Sequence, residues 1–334
     1  MRILIIYTGG TIGMVKTQKG YAPDSARFRS TLERITDLNA PDVPEWDLLE
    51  LTPLLDSSNI AVSEWNKIGQ VITQNYDRYV GFLVLHGTDT MAYTASALSF
   101  MLEGLDKPVI LTGSQIPMCE IRSDGRDSII TSLLIAGSGQ VREVALYFGG
   151  RLLRGNRAMK YSADGLQAFV SPNFGELAQV GITVKFNEKL LLPGGRGPFH
   201  LQKLENVPIG VIKVFPGIQF DLFEAIMTEK LKGIVVETFG AGNIPDSGGA
   251  LLPIIRKARQ NGTVLIVCSQ CPQGAVSLGT YETSAGLKDA GAVSGFDMTT
   301  EAAVTKLYYL FSCGYPVERV KELMAQDLRG ELTR

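Results

Sequence analysis

Two threonine-bearing turns are the parts of this sequence with the most evident chemical potential. Thr11 lies in the glycine-rich turn of residues 8–13, and Thr88 and Asp89 lie in the turn of residues 86–90. A threonine hydroxyl is a poor nucleophile unless a nearby base takes its proton. Because the chain contains only two histidines, the candidate bases are lysine, tyrosine and carboxylate side chains.

Both turns also admit an ordinary structural role. The first turn has glycines after an apolar run, but its spacing fits neither the dinucleotide-binding pattern G-x-G-x-x-G nor the phosphate loop G-x-x-x-x-G-K-[ST]. Thr11 is therefore either a simple turn hydroxyl or a reactive group, and Asp89 can equally cap the helix that follows it. The position of both turns favours a chemical role. Both follow predicted strands, and the carboxyl ends of the strands form the ligand crevice of parallel α/β sheets.

The elements that must position these turns follow from the hydrophobic pattern. Short apolar runs alternate with amphipathic stretches in the first half of the chain, which is typical of βαβ units and a mainly parallel sheet. Predicted strands cover residues 3–7, 82–85, 109–111 and 144–147, and predicted helices cover residues 63–76, with Ser63 as the cap, 90–103 and 123–136.

A Gly- and Pro-rich stretch then separates a second series of elements from the first. Predicted strands cover residues 210–214, 233–236 and 263–268, predicted helices lie near residues 221–229 and 251–260, and the last 35 residues are mostly helical. The sequence therefore predicts an α/β protein of two α/β domains. The larger N-terminal domain (residues 1–190) has a mainly parallel sheet with the catalytic turns at its strand C-termini, and a linker (191–208) leads to the smaller C-terminal domain (209–334).

Composition narrows the classes of function. Lys plus Arg is 32 and Asp plus Glu is 34, a formal charge of −2, so neither nucleic acid nor a membrane surface is an expected partner. Two histidines and four cysteines argue against a multi-histidine metal centre, and the lone pair Cys268 and Cys271 has no second pair to complete a zinc site. We expect neither metal nor cofactor, a packed His86 and a solvated His200.

The N-terminus and the apolar runs bear on location. An apolar strand begins directly after Met1 and Arg2, without the layout of a signal peptide. No apolar stretch approaches the roughly 20 residues that a membrane span needs. Together with the low cysteine content, these features predict a soluble, cytoplasmic protein.

Five short motifs, taken together, resemble the bacterial-type L-asparaginases, and their wording is most similar to the cytoplasmic, type I branch. They are spread over nearly the whole chain, at residues 8–13 (TGGTIG), 55–59 (LDSSN), 85–90 (LHGTDT), 111–117 (LTGSQIP) and 239–243 (FGAGN). The resemblance implies an enzyme that hydrolyses the side-chain amide of L-asparagine to L-aspartate and ammonia.

The resemblance also implies catalytic roles for individual residues. Thr11 would be the attacking hydroxyl, with Tyr21 beside it on a mobile loop. Thr88, Asp89 and Lys160 would form a second catalytic group, in which Asp89 holds the lysine ammonium. Judged without the resemblance, Lys160 is equally a solvated lysine and Tyr21 a packing residue. Which pair activates the nucleophile, and whether water attacks directly, stay open.

An amino-acid substrate needs a counter-charge for its α-ammonium and donors for its α-carboxylate. Asp89, next to Thr88, is the candidate for the first task. The stretch Asp56, Ser57 and Ser58, with nearby backbone amides, is the candidate for the second. The same stretch is also a typical turn sequence, which is the alternative interpretation.

Asn243 would reach the site of a neighbouring subunit, so the resemblance implies a homodimer or a homotetramer built as a dimer of dimers. A turn residue in the left-handed conformation is the alternative for Asn243. Some cytoplasmic relatives have a separate effector site for asparagine. Met159 and Glu237 stand where those relatives have Thr and Arg, and loss of the arginine removes a carboxylate clamp, so allosteric control is not expected.

Two other functions fit parts of the pattern. The asparaginase-like subunit of a transfer-RNA-dependent amidotransferase shares these turns but carries an additional N-terminal domain, whereas this chain begins at its first predicted strand. A binding module that senses asparagine or aspartate without turnover would not need Thr11, Thr88, Asp89 and Lys160. Ammonia release by the purified protein from asparagine, compared with release from glutamine, would separate the enzyme from both alternatives.

Overall fold

The stretch predicted as a linker contains the boundary between two units of the chain, Met1–Leu201 and Gln202–Arg334. Residue 196 of that stretch lies outside the described residues. The computed structural model describes residues 1–18, 20–195, 197–245, 251–280 and 282–333. None of the helices in these ranges is both long and apolar enough to cross a membrane.

The first unit is built from short strands and four α-helices over its described ranges. The strands are β1 (Arg2–Gly9), β2 (Met14–Thr17), β3 (Gly20–Pro23), β4 (Glu45–Leu55), β5 (Gly81–Leu85), β6 (Leu102–Glu103), β7 (Val109–Thr112), β8 (Val144–Phe148), β9 (Arg151–Arg154), β10 (Met159–Lys160), β11 (Phe169–Val170), β12 (Ala178–Val180), β13 (Val184–Phe186) and β14 (His200–Leu201). The helices are α1 (Ser25–Glu33), α2 (Val62–Asn75), α3 (Met91–Met101) and α4 (Gly125–Gly137), with 3₁₀ turns at Thr11–Gly13, Thr36–Asn39, Ser57–Asn59 and Gly155–Arg157.

Eight of these strands form one mixed sheet in the order β13-β12-β9-β8-β7-β5-β1-β4. The pairs β4–β1, β1–β5, β5–β7 and β7–β8 are parallel. The remaining pairs, from β8 to β13, are antiparallel. Helices α2, α3 and α4 provide the crossovers that parallel neighbours require. The predicted α/β fold with a larger N-terminal domain is confirmed, and the sheet also gains antiparallel strands at one edge.

The central strands are apolar along their whole length because both faces of the sheet are covered. All residues from Ile3 to Tyr7 and from Phe82 to Leu85 are buried. Ile3, Ile5 and Tyr7 share one core cluster with residues of β5, β7 and α4. This packing holds the carboxyl ends of β1 and β5 in fixed positions, which is where the two threonine-bearing turns begin.

Helix α2 begins earlier than the sequence predicts. Its first residue is Val62 and its cap residue is Ala61. Glu64 Oε2 accepts hydrogen bonds from the Ala61 backbone N–H at 3.2 Å and from the Ser63 hydroxyl at 2.6 Å. The predicted Ser63 cap is wrong because the Glu64 carboxylate reaches back to the unsatisfied N–H groups of the first turn.

The second unit has a smaller, parallel sheet in the order β15-β16-β17-β18. Its strands are β15 (Ile209–Lys213), β16 (Gly233–Thr238), β17 (Val264–Ser269) and β18 (Val293–Ser294), and its helices are α5 (Leu251–Gln260), α6 (Glu282–Asp289), α7 (Thr300–Ser312) and α8 (Val317–Met324). The helix predicted near residues 221–229 is instead a 3₁₀ helix, Phe220–Ile226. It closes with i→i+3 hydrogen bonds, as short helical segments commonly do.

The last 35 residues are mostly helical, as predicted, because α7 and α8 cover more than half of them. Beyond Met324 the described residues form no helix. Glu331 accepts hydrogen bonds from the backbone N–H groups of Leu328 and Arg329 at 3.0 and 2.7 Å, and it pairs with Lys306 at 2.5 Å, with both side chains fully buried. This ion pair fixes the non-helical tail against α7.

Candidate active site

Three turns meet at the carboxyl edge of the parallel strands in the first unit. They follow β4, β1 and β5, which are neighbours in the sheet. The Gly10 N–H donates to the Leu55 carbonyl at 3.1 Å, and the Thr90 hydroxyl donates to the Ser57 carbonyl at 2.8 Å. We call this edge the crevice, and it is formed by residues 10–13, 56–59 and 86–90.

Gly10 and Gly87 let the Thr11 turn and the Thr88 turn approach each other closely. A Cβ atom at Gly10 would lie 2.4 Å from the Gly87 backbone nitrogen, and Gly10 has φ 82°, which L side chains rarely adopt. A Cβ atom at Gly87 would lie 2.6 Å from Ser57 Oγ. Glycine is therefore required at residue 10 for the Thr11 and Thr88 turns to lie side by side, and at residue 87 for the Thr88 turn to lie against Ser57.

Lys160 is the centre of a hydrogen-bonded cluster with Thr88 and Asp89. Its ammonium donates to Thr88 Oγ1 at 3.0 Å and to Asp89 Oδ1 at 2.5 Å. Thr88 is buried, whereas the Asp89 side chain is 62% exposed, so the carboxylate remains accessible to a ligand. Asp89 does not cap α3, because the cap residue is Thr90 and no side chain caps that helix. The structure thus brings together three of the residues singled out from the sequence.

Lys160 enters the crevice from a separate hairpin. It ends β10, which pairs antiparallel with β11 so that Lys160 lies opposite Phe169. Its side chain is only 20% exposed. The polar sequence around Lys160 is equally compatible with a solvated lysine, but the hairpin turns this side chain inward and gives it two partners.

Gln115 belongs to the same cluster, and sequence reasoning assigned it no role. Its Oε1 accepts a hydrogen bond from Thr88 Oγ1 at 3.3 Å, and its Nε2 donates to the Gly165 carbonyl at 3.2 Å. Its backbone N–H donates to Asp124 Oδ2 at 3.0 Å. The available signal was its place in the motif of residues 111–117, which follows β7 at the same edge of the sheet.

Tyr21 lies on a two-stranded hairpin formed by β2 and β3, with residue 19 outside the described residues. The Tyr21 hydroxyl donates its single hydrogen to Glu120 Oε1 at 2.7 Å. This hydrogen bond, above all, raises the pKa of the Tyr21 phenol. In this arrangement the phenolic hydrogen serves Glu120 and not Thr11, so the contact between Tyr21 and Thr11 stays a prediction.

The turn after β4 contains the candidate substrate-binding serines. Asp56 Oδ1 accepts a hydrogen bond from the Ser58 N–H at 2.9 Å, and the Asp56 carbonyl accepts one from the Asn59 N–H at 3.0 Å. Ser57 is buried beside Gly87, whereas Ser58 is exposed. Asp56 therefore shapes the turn and engages two of its amides, which leaves the serine hydroxyls as groups for an anion.

His86, the first residue of the turn that follows β5, is fully buried, in agreement with the predicted packing role. Its Nδ1 lies 2.7 Å from the Gly87 carbonyl, and its Nε2 lies 2.9 Å from Thr94 Oγ1. Because a carbonyl oxygen only accepts, Nδ1 carries the proton and Nε2 accepts from the Thr94 hydroxyl. Burial lowers the pKa of His86 to about 4, so the ring is neutral and acts as a packing group that anchors the Gly87 carbonyl.

Asn243 lies in the second unit, in the turn that follows β16. Its backbone N–H donates to the Phe239 carbonyl at 2.8 Å. Gly240 and Gly242 carry the positive φ angles of this turn, 46° and 121°, and Asn243 does not. The alternative of a left-handed asparagine is therefore wrong, and the contact of Asn243 with a neighbouring subunit's substrate stays a prediction.

The cysteine pair of the second unit has no metal-binding partners in the described ranges. Burial raises the pKa of the Cys268 thiol to about 12, which makes it a poor thiolate donor, and Cys271 is exposed. No group of three or more His, Cys, Asp or Glu side chains is arranged to hold a metal ion among the residues that the structure describes.

Comparison with known families gives matches in both units. A model described as "Asparaginase, N-terminal" matches residues 2–192, and a model described as "Glutaminase/Asparaginase C-terminal domain" matches residues 208–324. Together the two models cover most of the chain.

Individual relatives agree with the family models. The chain is 43% identical over 331 residues to L-asparaginase 1 of Escherichia coli (strain K12), covering 99% of this chain and 98% of that protein. The crystal structure of L-asparaginase I from Vibrio cholerae O1 biovar eltor is similar with a TM-score of 0.92 and 41% identity, over 100% of this chain and 99% of that one. The thermostable L-asparaginase from Thermococcus kodakarensis has a TM-score of 0.90 and 31% identity, over 100% of both chains.

Proposed function

The chain belongs to the asparaginase family, and from this membership we propose that it hydrolyses the side-chain amide of L-asparagine to L-aspartate and ammonia. The observation that carries the proposal is the Thr88, Asp89 and Lys160 cluster in the crevice, next to the turn of Thr11. Covalent hydrolysis of an amide requires a nucleophile and a group that activates it, and the crevice offers threonine hydroxyls, a lysine beside one of them, and an exposed carboxylate for the ammonium of an amino acid.

Thr11 is the proposed nucleophile. Its oxygen attacks the carboxamide carbon, and backbone N–H groups of the glycine turns stabilise the negative charge that develops on the carbonyl oxygen. The C–N bond then breaks, the nitrogen takes up a proton and leaves as ammonia, and an ester to Thr11 remains. Water hydrolyses this ester, so that Thr11 regains its hydrogen and aspartate is released.

Thr88 and Lys160 are the proposed proton carriers. The hydrogen bond of 3.0 Å between them connects a buried hydroxyl at the crevice to a lysine nitrogen, and Asp89 holds that nitrogen in place. Tyr21 is the proposed partner of Thr11. While its hydrogen is bound to Glu120, the Tyr21 oxygen can still accept the hydrogen of the Thr11 hydroxyl, whereas donation to Thr11 would require the hydroxyl to leave Glu120.

Binding of the zwitterionic part of the substrate is assigned to the other side chains of the crevice. The exposed carboxylate of Asp89 is placed to meet the α-ammonium, and the hydroxyls of Ser57 and Ser58 are the proposed donors to the α-carboxylate. Asp56 supports this site through the turn that it caps, and its direct contact with substrate stays a prediction. Asn243 is proposed to complete the site of a neighbouring subunit.

We also propose a homodimer or homotetramer in the cytoplasm. The role assigned to Asn243 requires a second copy, and four exposed apolar side chains of the second unit, Val211, Phe215, Leu222 and Ile226, are suited to an interface. Light scattering of the purified protein tests the assembly, and fractionation of the source cells tests the location.

The test of the activity is ammonia and aspartate release from L-asparagine by the purified protein, with L-glutamine as the comparison substrate. We expect release from asparagine, and we expect the Thr11→Val variant, which keeps the side-chain shape but lacks the hydroxyl, to lose it. Binding of asparagine without ammonia release would instead support a sensor, and release only with an added transfer-RNA partner would support an amidotransferase subunit. Full activity of Thr11→Val would rule out the threonine nucleophile.

A further inference from the structure

The Thr88 hydroxyl is bound on two sides by groups of fixed polarity. Lys160 Nζ donates to Thr88 Oγ1 at 3.0 Å, so a lone pair of the hydroxyl faces the lysine. The single hydrogen of the hydroxyl is directed to Gln115 Oε1 at 3.3 Å. This second hydrogen bond is long, as catalytic hydrogen bonds often are before substrate binds.

The orientation of the Gln115 amide is fixed by its other end. Nε2 donates to the Gly165 carbonyl at 3.2 Å, and the reverse orientation would place two oxygens against each other there. The oxygen of the amide therefore faces Thr88. Gln115 can only accept from Thr88 in this arrangement, which sets the direction in which the hydroxyl hydrogen points.

Gln115 is itself held rigidly at both ends. The backbone N–H groups of Gln115 and Ile116 donate to the two carboxylate oxygens of Asp124 at 3.0 Å each, and Asp124 lies at the start of α4. The turn that carries Gly165 is closed by a hydrogen bond of 2.8 Å from the Gly165 N–H to Ser162 Oγ. The amide is therefore fixed between two anchored segments.

We propose that Gln115 is a positioning residue for amide hydrolysis: before a proton is transferred through Thr88 and Lys160, it accepts the hydrogen of Thr88 and thereby keeps a lone pair of that hydroxyl directed at the Lys160 ammonium. This inference rests on the proposed function. Gln115 touches neither Lys160 nor the reacting amide in this role, because it acts through the orientation of Thr88. Without the acceptor, the hydroxyl is free to rotate and its hydrogen competes with the lysine for the same direction.

The charges around the pair are few, which makes the effect measurable. The Asp89 carboxylate contacts Lys160 directly, and the Asp124 carboxylate contacts only the backbone of the Gln115 segment. Helix α3, which packs against β10, has the sequence MAYTASALSFM and carries no charged residue. Strand β11, opposite Lys160, is Phe169 and Val170.

The test compares Gln115→Met, which keeps the length of the side chain but removes the acceptor, with Gln115→Glu, which keeps an oxygen toward Thr88. Gln167→Met is the matched control, because Gln167 is exposed and its amide contacts Arg151 outside the crevice. We expect Gln115→Met to lower kcat about 10-fold with a smaller change in KM, whereas Gln115→Glu retains most of kcat.

The pH–rate profile separates positioning from a structural role. Gln115 Oε1, by accepting the Thr88 hydrogen, favours the form in which the Lys160 ammonium donates to Thr88. In Gln115→Met this acceptor is lost, so the limb of the pH–rate profile that depends on Lys160 and Thr88 is expected to move to lower pH. In Gln115→Glu the limb is expected at or above the wild-type position. Thermal unfolding midpoints within a few degrees of the wild type are expected for all three variants.

A chemical readout makes the test independent of turnover. Acylation of Lys160 by a small activated ester, followed by mass spectrometry of the digested protein, is expected to be faster in Gln115→Met than in the wild type and in Gln167→Met. A loss confined to KM, or a kcat, pH profile and acylation rate equal to those of Gln167→Met, would overturn the inference. If Gln115→Met does not fold, the inference would be overturned by a pH–rate limb of Gln115→Glu that lies at lower pH than that of the wild type. Absence of ammonia release by the wild type would count against the proposed function, while the acylation rates would still decide the role of Gln115.

Discussion

The two units of this protein end their parallel strands in polar side chains, but those side chains have different partners. In the first unit, Lys160 binds Thr88 and Asp89, which are side chains of another segment, and the Asp89 carboxylate stays exposed. In the second unit, the Gln270 amide donates to the backbone carbonyls of Val214 and Glu237 at 2.5 and 2.8 Å.

Other polar side chains at strand ends of the second unit also donate to backbone carbonyls. The Thr238 hydroxyl donates to the Cys268 carbonyl at 3.2 Å, and the Ser269 hydroxyl donates to the Gly240 carbonyl at 2.7 Å. Polar side chains that satisfy neighbouring carbonyls stabilise the edge of a sheet but have no donor left for a ligand. The position of a polar group at a strand end is therefore not enough to make it functional. The partner that it binds determines whether it is available to a ligand.

Removing the central cation of the crevice is expected to have the largest effect on activity. Lys160→Met keeps the length of the side chain but removes the proton carrier and the partner of Asp89, so kcat for asparagine should fall by about 10³-fold. The matched change in the second unit is Lys213→Met, since Lys213 is exposed and lies 3.9 Å from Glu237. Steady-state ammonia release measures both, and comparable losses in the two variants would remove the distinction between the two edges.

Replacing Gly10 by alanine is expected to have the next largest effect on activity, and Gly217, which has the same backbone conformation, is the matched control. Gly10 and Gly217 have φ 82° and 83°, but a Cβ atom would clash with Gly87 at the first position and meets nothing within 4 Å at the second. Gly10→Ala should therefore separate the two threonine turns and displace an oxyanion donor, lowering kcat about 100-fold. Gly217→Ala should cost only about 1 kcal/mol of stability from the left-handed conformation. Equal kcat values for the two variants would contradict the close approach of the turns.

The sequence predicted these glycine turns, but it did not predict several of the side-chain contacts that their residues make. Apolar runs followed by Gly-Thr predicted β1, β5 and the threonines at their ends, because a buried parallel strand has a simple pattern. Gln115 follows a buried strand in the same way, but the role proposed for it depends on a carbonyl at Gly165 that lies 50 residues away along the chain. Tertiary contacts of this kind leave no periodicity in the sequence.

The predicted Ser63 cap is wrong, and the catalytic role of Tyr21 stays a prediction, because residue type does not identify the hydrogen-bond partner of a side chain. Ser63 has the residue type of a helix cap, but Glu64 supplies the oxygen that binds the Ala61 N–H, so residue type alone chose the wrong side chain. Tyr21 has the type and the position of a catalytic partner, yet its hydroxyl is bound to Glu120 from a loop almost a hundred residues away. Residue type and position identified these side chains as candidates, and the structure shows the hydrogen bonds that Glu64 and Tyr21 make.

Acidification is expected to act on the two units in opposite directions. Burial lowers the pKa of His86 from 6.5 to about 4, so the unfolded chain takes up this proton first, and the first unit should lose about 3 kcal/mol between pH 6.5 and pH 4. Burial, with the Glu237 carboxylate adding to it, raises the pKa of Glu301 from 4.5 to about 6. The folded state takes up that proton first, so the second unit should gain about 2 kcal/mol as the pH falls from 6 to 4.5.

Native-state hydrogen exchange of the amides in β5 and β16 between pH 6.5 and pH 4.5 measures this difference. The variants His86→Gln and Glu301→Gln should each remove the pH dependence of their own unit and leave that of the other in place. A loss of protection in both strands on acidification, unchanged by either variant, would show that the two units respond to pH through other groups.

The smallest effect is expected at the edge of the second unit. Gln270→Leu removes two hydrogen bonds to backbone carbonyls, so the free energy of unfolding should fall by about 1–3 kcal/mol, while kcat for asparagine stays unchanged. Saturation by asparagine should be hyperbolic in this variant and in the wild type, because Glu237 is held by the Thr300 hydroxyl at 2.6 Å and a carboxylate repels the carboxylate of an amino acid. A sigmoid curve that Gln270→Leu makes hyperbolic would mean that this edge binds a ligand after all, since a side chain that only satisfies carbonyls has no means of changing cooperativity.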